Sequence, residues 1–291
     1  MNDFLEKLST DVQNAPYLVH AKNMVKQFRE LSASSGKAEL SKFASLKRIV
    51  PEYERYYTAN GQRGIDESVI RSRVDALNSY YNFLCDNGFD NLFNPQTKFR
   101  PSILEEFMAL LFRDLVQDIQ AECSCGKLGL GSVKAYANLY FYGKDFRTFI
   151  ANPTIGLNLK DQDFAIYRDV MLQMDDNKPI LASLPIVAVE CKTFIDKTML
   201  EGSVATAEKL KSGNPYALFC MVSELYDVAM NVDPAYSRID QIYILRKTTR
   251  RGPRRDISAN VVIGLVDRVR QHLTRPWCDI SKKLSDTGTL I

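Results

Sequence analysis

The stretch Leu184-Pro-Ile-Val-Ala-Val-Glu-Cys-Lys-Thr193 decides how the central part of this chain folds. It is an apolar run that ends in two charged residues, Glu190 and Lys192, which one cysteine separates. A short apolar run rich in β-branched residues predicts a buried strand. Because residues two apart in a strand point to the same face, Glu190 and Lys192 lie side by side, while Val189 and Cys191 face the opposite layer.

A second segment, Asp163-Phe-Ala-Ile-Tyr167, predicts the start of the preceding strand of a hairpin, which would place Asp163 across from Glu190. Charged residues after an apolar run are costly to bury without partners, so the Glu-x-Lys strand either reaches solvent or forms a site. A bare Glu-x-Lys motif is short enough to mark only the solvated end of a strand. The upstream aspartate and the predicted helices before and after the strands favour a site.

Two carboxylates and a lysine on neighbouring strands suit the hydrolysis of a phosphodiester. That reaction needs an activated phosphoryl group and an attacking water that has been made a stronger nucleophile. A hard divalent metal held by carboxylates supplies both. A nearby cation must also position or deprotonate the water. Asp163, Glu190 and Lys192 have the form that this chemistry requires.

The order of the predicted elements indicates an α/β core behind a helical region. Residues 17–34, 38–47 and 66–84 show helical periodicity, and the connector Asn94-Pro-Gln-Thr-Lys-Phe-Arg-Pro101 follows them. We therefore predict a helical domain over residues 1–98 and an α/β domain over residues 99–291.

The second domain is predicted to open on a helix. Ser102-Ile-Leu-Glu105 has the form of a capping box, so a helix should run from Ser102 to about residue 120. A mobile glycine-rich turn is predicted at residues 126–131. Later strands are predicted over residues 135–142, 155–159, 163–171, 184–193, 216–222 and 239–245, and later helices over residues 196–210 and 257–273.

Composition excludes several classes of protein. Hydrophobic residues make up 45% of the chain and charged residues 25%, values that are ordinary for folded proteins and too apolar for a disordered one. The longest apolar run is too short to cross a bilayer, and the acidic N-terminus does not resemble a signal peptide, so we expect a cytoplasmic protein without a membrane partner. The six cysteines are predicted to be reduced and structural, because the pair at positions 123 and 125 lacks zinc-site spacing.

Other phosphate chemistries fit poorly. The chain has only two histidines, His20 and His272, too few for a histidine-based nuclease site, and both are predicted to lie at the surface or at helix ends. Neither a P-loop nor a complete dinucleotide-binding glycine motif is present, so ATP dependence is not expected.

Positive charge is concentrated in Arg246-Lys-Thr-Thr-Arg-Arg-Gly-Pro-Arg-Arg255, which carries six basic residues and no acid. Such a segment can hold phosphates or bind guanine edges, or it can be an ordinary solvated loop. Because it follows a predicted core strand and contains Gly252-Pro253, we favour a mobile loop that closes on DNA. The predicted DNA-binding residues are Arg246, Lys247, Arg250, Arg251, Arg254 and Arg255.

From residue 102 to residue 245 the chain resembles the PD-(D/E)xK nuclease superfamily in its order of helix, strands with Asp and then Glu-x-Lys, helix and strand. The length and the helical first part resemble a subunit of a type II restriction endonuclease. The segment Val189-Glu-Cys-Lys-Thr-Phe-Ile-Asp-Lys-Thr-Met-Leu-Glu-Gly202 is similar to the BbvCI-type enzymes, whose two related subunits cut an asymmetric site.

This resemblance implies Mg²⁺ as cofactor, Asp163 and Glu190 as its ligands, and Lys192 as the cation that activates water. It also implies double-stranded DNA as substrate, a homodimer or a heterodimer with a related subunit, and DNA recognition or dimerisation by residues 1–98. Gln162 stands where the proline of the motif would be, which leaves Asp161 as a rival to Asp163.

Many members of the superfamily add a glutamate from the first core helix. Glu105 and Glu106 compete for that role, and we predict Glu106 because Glu105 already serves the capping box. Two other functions remain open at this stage, namely a repair or junction-resolving nuclease of the same superfamily and a non-catalytic DNA-binding module.

Overall fold

The computed structural model describes residues 2–122, 126–174, 178–275, 277 and 279–289. Its helices are α1 (Asn2–Asn14), α2 (Val19–Ser32), α3 (Lys37–Gly61), α4 (Glu67–Asp86), α5 (Ser102–Glu122), α6 (Phe146–Ala151), α7 (Lys197–Gly213), α8 (Ala259–Thr274) and α9 (Ile280–Asp286). Its strands are β1 (Leu128–Tyr142), β2 (Thr154–Leu172), β3 (Ile180–Ile195), β4 (Leu218–Tyr226) and β5 (Gln241–Ile244).

The five strands form one mixed sheet in the order β1-β2-β3-β4-β5. The first three strands pair antiparallel, whereas β4 pairs parallel to β3 and β5 pairs parallel to β4. A parallel pair needs a crossover connection, and α7 supplies it between β3 and β4. The predicted α/β fold class with a mixed sheet is confirmed.

Each face of the sheet has its own hydrophobic core, because side chains alternate along the strands. Val187, Val189 and Cys191 of β3 join the larger core with α5 and α8, whereas Ala188 joins the smaller core with α7. The side of β3 that carries Glu190 and Lys192 is therefore the side that α7 covers.

The helical region is larger than the sequence pattern predicted. α1 was not predicted, and α3 continues through Pro51 to Gly61 instead of ending near residue 47. Tyr53 and Tyr56 are buried in this extension, so tertiary packing outweighs the helix-breaking tendency of the proline.

The helical region and the sheet share the larger core, which runs from Phe4 to Val269 in sequence. The side chain of Asn78 on α4 also donates to the carbonyl oxygen of Ile257 and accepts from its N–H, each within 3.0 Å. These contacts join the two parts closely, and the division at residue 98 stays a prediction.

Two local predictions are wrong. Residues 128–131 of the predicted mobile turn are the first residues of β1. α5 begins at Ser102, as predicted. The hydroxyl of Ser102 donates to the carbonyl oxygen of Phe99 at 2.9 Å and contacts the ring of His20. These contacts take the place of the hydrogen bonds of the predicted capping box.

Of the cysteines that the structure describes, Cys85, Cys191 and Cys220 are free thiols, and positions 123, 125 and 278 lie outside the described residues. Among the described helices, none is long and apolar enough to cross a membrane.

Candidate active site

Three predicted residues meet where β2 and β3 separate. Oδ2 of Asp163 accepts hydrogen bonds from the N–H of Cys191 at 2.9 Å and from Nζ of Lys192 at 3.1 Å. Nζ of Lys192 is also 2.8 Å from Oε2 of Glu190. The ammonium group thus bridges two carboxylates that come from adjacent strands.

The strand geometry explains why Asp163 is available for this contact. The sequence predicted that Asp163 starts a strand. In the structure it lies in the middle of the long strand β2. Its neighbour Phe164 pairs with Val189, which is the last pair of the β2–β3 ladder on this side. The β1–β2 register also shifts between Gly131 and Val133, opposite Asp163. Such irregularities redirect side chains and are common beside active sites.

The charge of Lys192 is stabilised by its two acids. Burial by itself would lower the pKa of Lys192, but the charges and hydrogen bonds of Asp163 and Glu190 outweigh burial and raise the pKa above its usual value. Lys192 is therefore an ammonium ion at neutral pH, able to donate hydrogen bonds and to stabilise negative charge.

Of the two candidate glutamates on α5, Glu105 lies in the same space as Asp163, whereas the predicted Glu106 does not. Glu106 is fully buried on the other side of α5, where its carboxylate accepts 2.8 Å hydrogen bonds from the N–H of Ala21 and the hydroxyl of Tyr53. Glu105 interacts electrostatically with Asp163, Lys98 and Lys192. Burial and then the charge of Asp163 raise the pKa of Glu105 to about 7.

Replacing the two glutamates separately should distinguish their roles. Glu106→Ala is expected to lower the free energy of unfolding by about 1–3 kcal/mol for each buried donor that loses its acceptor. Glu105→Ala should leave unfolding nearly unchanged and slow DNA cleavage by about 10–100-fold, the usual effect of removing a supporting group at a metal site. Urea unfolding and a plasmid cleavage assay measure the two effects, and the opposite pattern would restore Glu106 as the site residue.

An open cleft lies beside these acids, and we call it the acidic cleft. Its volume is about 330 Å³, and it is lined by Lys98, Glu105, Ser132, Val133, Lys134, Asp161, Gln162 and Asp163. Gln162, which stands where the motif has proline, is buried, and among the described residues its Oε1 atom has no hydrogen-bond partner. Asp161, the alternative to Asp163, is exposed, and its backbone lies opposite that of Lys134 in the β1–β2 ladder.

The predicted arginine loop, residues 246–255, follows β5 and crosses the end of the sheet. The guanidinium group of Arg250 lies 4.1 Å from the ring centroid of Phe194, two residues after Lys192. Arg254 bonds Asp86 and Asn82 on α4. Arg251 and Lys247 are exposed, and a guanidinium nitrogen of Arg255 donates to the carbonyl oxygen of Lys247 at 3.2 Å.

Arg246, which was predicted to bind DNA, makes its observed contacts within the protein. Its Nε and Nη2 atoms each lie 2.9 Å from Oε2 of Glu224, and Nη1 donates to the carbonyl oxygen of Arg255. Arg100 binds the same carboxylate in a bidentate pair at 2.8 and 3.0 Å and lies over the ring of Tyr81. This cluster anchors the arginine loop to the connector before α5.

Both histidines are buried and not at the surface, and both lie near helix ends, His20 in the first turn of α2 and His272 in the last turn of α8. His20 contacts the carbonyl oxygen of Phe99 and the hydroxyls of Ser102 and Tyr80 at 2.9–3.0 Å. Burial lowers the pKa of His20 to about 3, so its ring is neutral and joins the helical region to α5.

A solved structure has the same arrangement of elements. The chain described as "native BbvCI A2B2 tetramer at low resolution" matches with a TM-score of 0.68 and 19% sequence identity, over 88% of this chain and 95% of that chain. No curated protein sequence matches this chain. This likeness shows that the two chains share a fold, and in this chain Asp163, Glu190 and Lys192 form one cluster within it.

The sequence model of the Bpu10I restriction endonuclease family matches residues 96–275. This segment is more than half of the chain and includes the acidic cleft and the arginine loop. The chain therefore belongs to the Bpu10I restriction endonuclease family, and the predicted resemblance to type II restriction endonucleases is confirmed.

Proposed function

We propose that this chain is a subunit of a sequence-specific DNA endonuclease that uses Mg²⁺ and hydrolyses one DNA strand at its single active site. The observation that carries the proposal is the contact of Lys192 with both Asp163 and Glu190. Asp163 of this cluster also lines the acidic cleft, where a phosphodiester can approach it.

The residues fit a magnesium ion that is shared with the substrate. In the described part of the chain, no three acidic, histidine or cysteine side chains are close enough to hold a metal by themselves. Mg²⁺ needs fewer protein ligands, because it keeps several waters and binds one or two carboxylates together with substrate phosphates. Asp163 and Glu190 would be those carboxylates, and Glu105 and the unpaired Oε1 atom of Gln162 are further oxygens nearby. When bound, Mg²⁺ would polarise the phosphoryl oxygens and make the attacking water more acidic.

The protein side chains have separate tasks in this reaction. The ammonium group of Lys192 donates hydrogen bonds to the attacking water and stabilises the negative charge that develops on the phosphoryl oxygens. Asp163 is fixed by the N–H of Cys191, so its second oxygen keeps a constant direction. Glu105 lines the same cleft as Asp163 and adds a third carboxylate beside the proposed metal position.

The arginine loop supports DNA as the substrate. Lys247, Arg250, Arg251, Arg254 and Arg255 are exposed on the loop beside the strand that bears Lys192. Basic side chains in such a position bind phosphates independently of sequence, and some reach base edges in the groove. The helical residues 1–98 would contribute to recognition or dimerisation.

Metal removal tests the proposed chemistry. Cleavage of a plasmid should require Mg²⁺ or Mn²⁺ and should stop in excess EDTA, whereas Ca²⁺ should support binding without turnover. Adding Mg²⁺ back to the EDTA-treated protein is the control for irreversible unfolding. Undiminished cutting in EDTA would contradict the proposal, and absence of cutting under every metal would favour a non-catalytic DNA-binding module.

An exposed apolar arm supports assembly with a partner chain. We call residues 138–159 the apolar arm, which consists of the ends of β1 and β2 and the helix α6 between them. Its exposed large apolar side chains are Leu139, Tyr140, Phe141, Tyr142, Phe146, Phe149, Ile150 and Leu159. Exposed apolar patches mark interaction sites. Because the similar solved structure is described as an A2B2 tetramer, we propose a related subunit as the partner.

A mixed assembly should then cut one strand only. One cluster of Asp163, Glu190 and Lys192 serves one strand, so Glu190→Ala in this chain with an intact partner is expected to convert double-strand cleavage into strand-specific nicking. Supercoiled plasmid is the substrate, and run-off sequencing identifies the nicked strand. Continued linearisation would show that one site serves both strands, and nicks on both strands equally would show that the partners are copies of this chain.

A further inference from the structure

Two lysines line the acidic cleft from different elements. Lys98 lies in the connector that leads into α5, and Lys134 lies on β1, directly across the ladder from Asp161. Asp163 and Glu105 lie in the same cleft. The cleft therefore has a cation on the wall that the connector before α5 forms and another on the β1 wall, with Asp163 and Glu105 in the same space.

The cations of the site differ in their partners. The ammonium group of Lys192 forms ion pairs with Asp163 and Glu190. Within the residues that the structure describes, neither Lys98 nor Lys134 is within ion-pairing distance of a carboxylate, and both side chains are exposed. Lys98 is still near enough to Glu105 to lower its pKa. Two free ammonium groups are thus available for an anion that enters the cleft.

The backbone of Lys98 adds an independent observation. Its φ angle is 51°, in the left-handed region that is costly for a residue with a long side chain and favours glycine or asparagine. The position is fixed, because its carbonyl oxygen accepts the N–H of Ser102 at 3.0 Å and the next residue, Phe99, is buried. Strain of this kind is concentrated at functional sites. The fixed backbone thus holds the side chain of Lys98 at the mouth of the α5 connector, in the lining of the cleft.

We infer that Lys98 and Lys134 are substrate-positioning residues that bind the backbone phosphates of the cleaved strand on either side of the scissile phosphate. The inference rests on the proposed function and specifies how its active site holds DNA. A cation on each of two walls aligns the strand in the cleft, so that the scissile phosphate lies at Asp163 and Lys192. Contacts of this type carry no sequence information and fix the register of the DNA.

Salt dependence of DNA binding tests this inference directly. Lys98→Asn tolerates the left-handed backbone and removes the charge, and Lys134→Ala removes the other charge. Each variant should bind cognate and unrelated duplexes more weakly in Ca²⁺ and should reduce the slope of log K against log salt by about one. Arg251→Ala in the arginine loop is a comparison variant for a phosphate contact elsewhere, and Lys209→Ala on the exposed face of α7 is the matched control, expected to leave the slope unchanged.

The charge-conserving variants Lys98→Arg and Lys134→Arg should restore the slope, which a merely structural role would not predict. Single-turnover cleavage with saturating protein should be slower in Lys98→Asn, since the scissile phosphate is held less accurately. Unchanged slopes in both variants would overturn the inference, as would a loss of affinity for the cognate sequence alone. If the wild-type protein neither binds nor cleaves DNA, the proposed function fails as well; if it does both, only the assignment of these lysines fails.

Discussion

Lys192→Ala is expected to reduce the rate of DNA cleavage on the order of 10²–10⁴-fold, the usual range for a group that assists proton transfer. The ammonium group is the cation that joins Asp163 and Glu190, and in the proposed reaction it donates to the attacking water. The folded state should persist, because Lys192 is partly exposed and the N–H of Cys191 still holds Asp163. Single-turnover cleavage and thermal unfolding measure the two properties.

Lys197→Ala is the matched control for this prediction. Lys197 follows the same strand at the start of α7, and its contact with Glu201 is an exposed i,i+4 pair at 3.8 Å. Such pairs contribute little to stability, so cleavage and unfolding should both remain near the wild-type values. Full activity of Lys192→Ala would show that the carboxylates alone perform the reaction.

Glu224→Ala is expected to lower the free energy of unfolding by about 3–5 kcal/mol, because it leaves charges without a partner inside the protein. The carboxylate of Glu224 is buried between the guanidinium groups of Arg100 and Arg246. Tyr81 covers the guanidinium group of Arg100 at 3.8 Å, so water replaces the lost carboxylate poorly. Urea unfolding gives the change in free energy.

Glu201→Ala is the control for Glu224→Ala, since it breaks an exposed ion pair and should change stability by less than about 1 kcal/mol. A loss of similar size in both variants would mean that the Glu224 cluster is solvated in solution. Glu224→Ala should also weaken DNA binding, because Arg246 anchors the arginine loop through this carboxylate.

The same cluster should make stability depend on pH. Burial by itself would raise the pKa of Glu224, but the charges and hydrogen bonds of Arg100 and Arg246 hold it below its usual value. A carboxyl group whose pKa is lower in the folded state stabilises that state above its unfolded pKa, and this contribution is lost as the pH falls through the folded pKa. Wild-type stability should therefore decrease more steeply than that of Glu224→Ala in acid below about pH 4.5.

Properties that depend on neighbouring residues could be predicted from the sequence. The alternation in β3 places Glu190 and Lys192 on one face, and Asp196 accepts from the N–H of Met199 at the start of α7. The cluster with Asp163 could also be predicted, because the hairpin of β2 and β3 brings the segments together in one antiparallel ladder. The roles assigned to these three residues stay a proposal until cleavage is measured.

Properties that depend on the rotation of a helix or the end of a loop could not be predicted. Glu105 and Glu106 are adjacent, and helical periodicity did not reveal which one faces Asp163, because α5 is apolar on nearly every side. The sequence also did not reveal the partner of Arg246, because Glu224 is a buried acid on β4, more than twenty residues earlier in the chain.

The sequence by itself determined the α/β order of elements, the strand that bears Glu190 and Lys192, and the family resemblance, because each depends on spacing along the chain. The tertiary structure alone decided that Glu105 faces Asp163 and that Arg246 is committed to Glu224. It also decided that Lys98 and Lys134 line the acidic cleft from two different elements. The physical reason is that burial and ion pairing are set by contacts between segments far apart in sequence, and no local pattern records which segments meet.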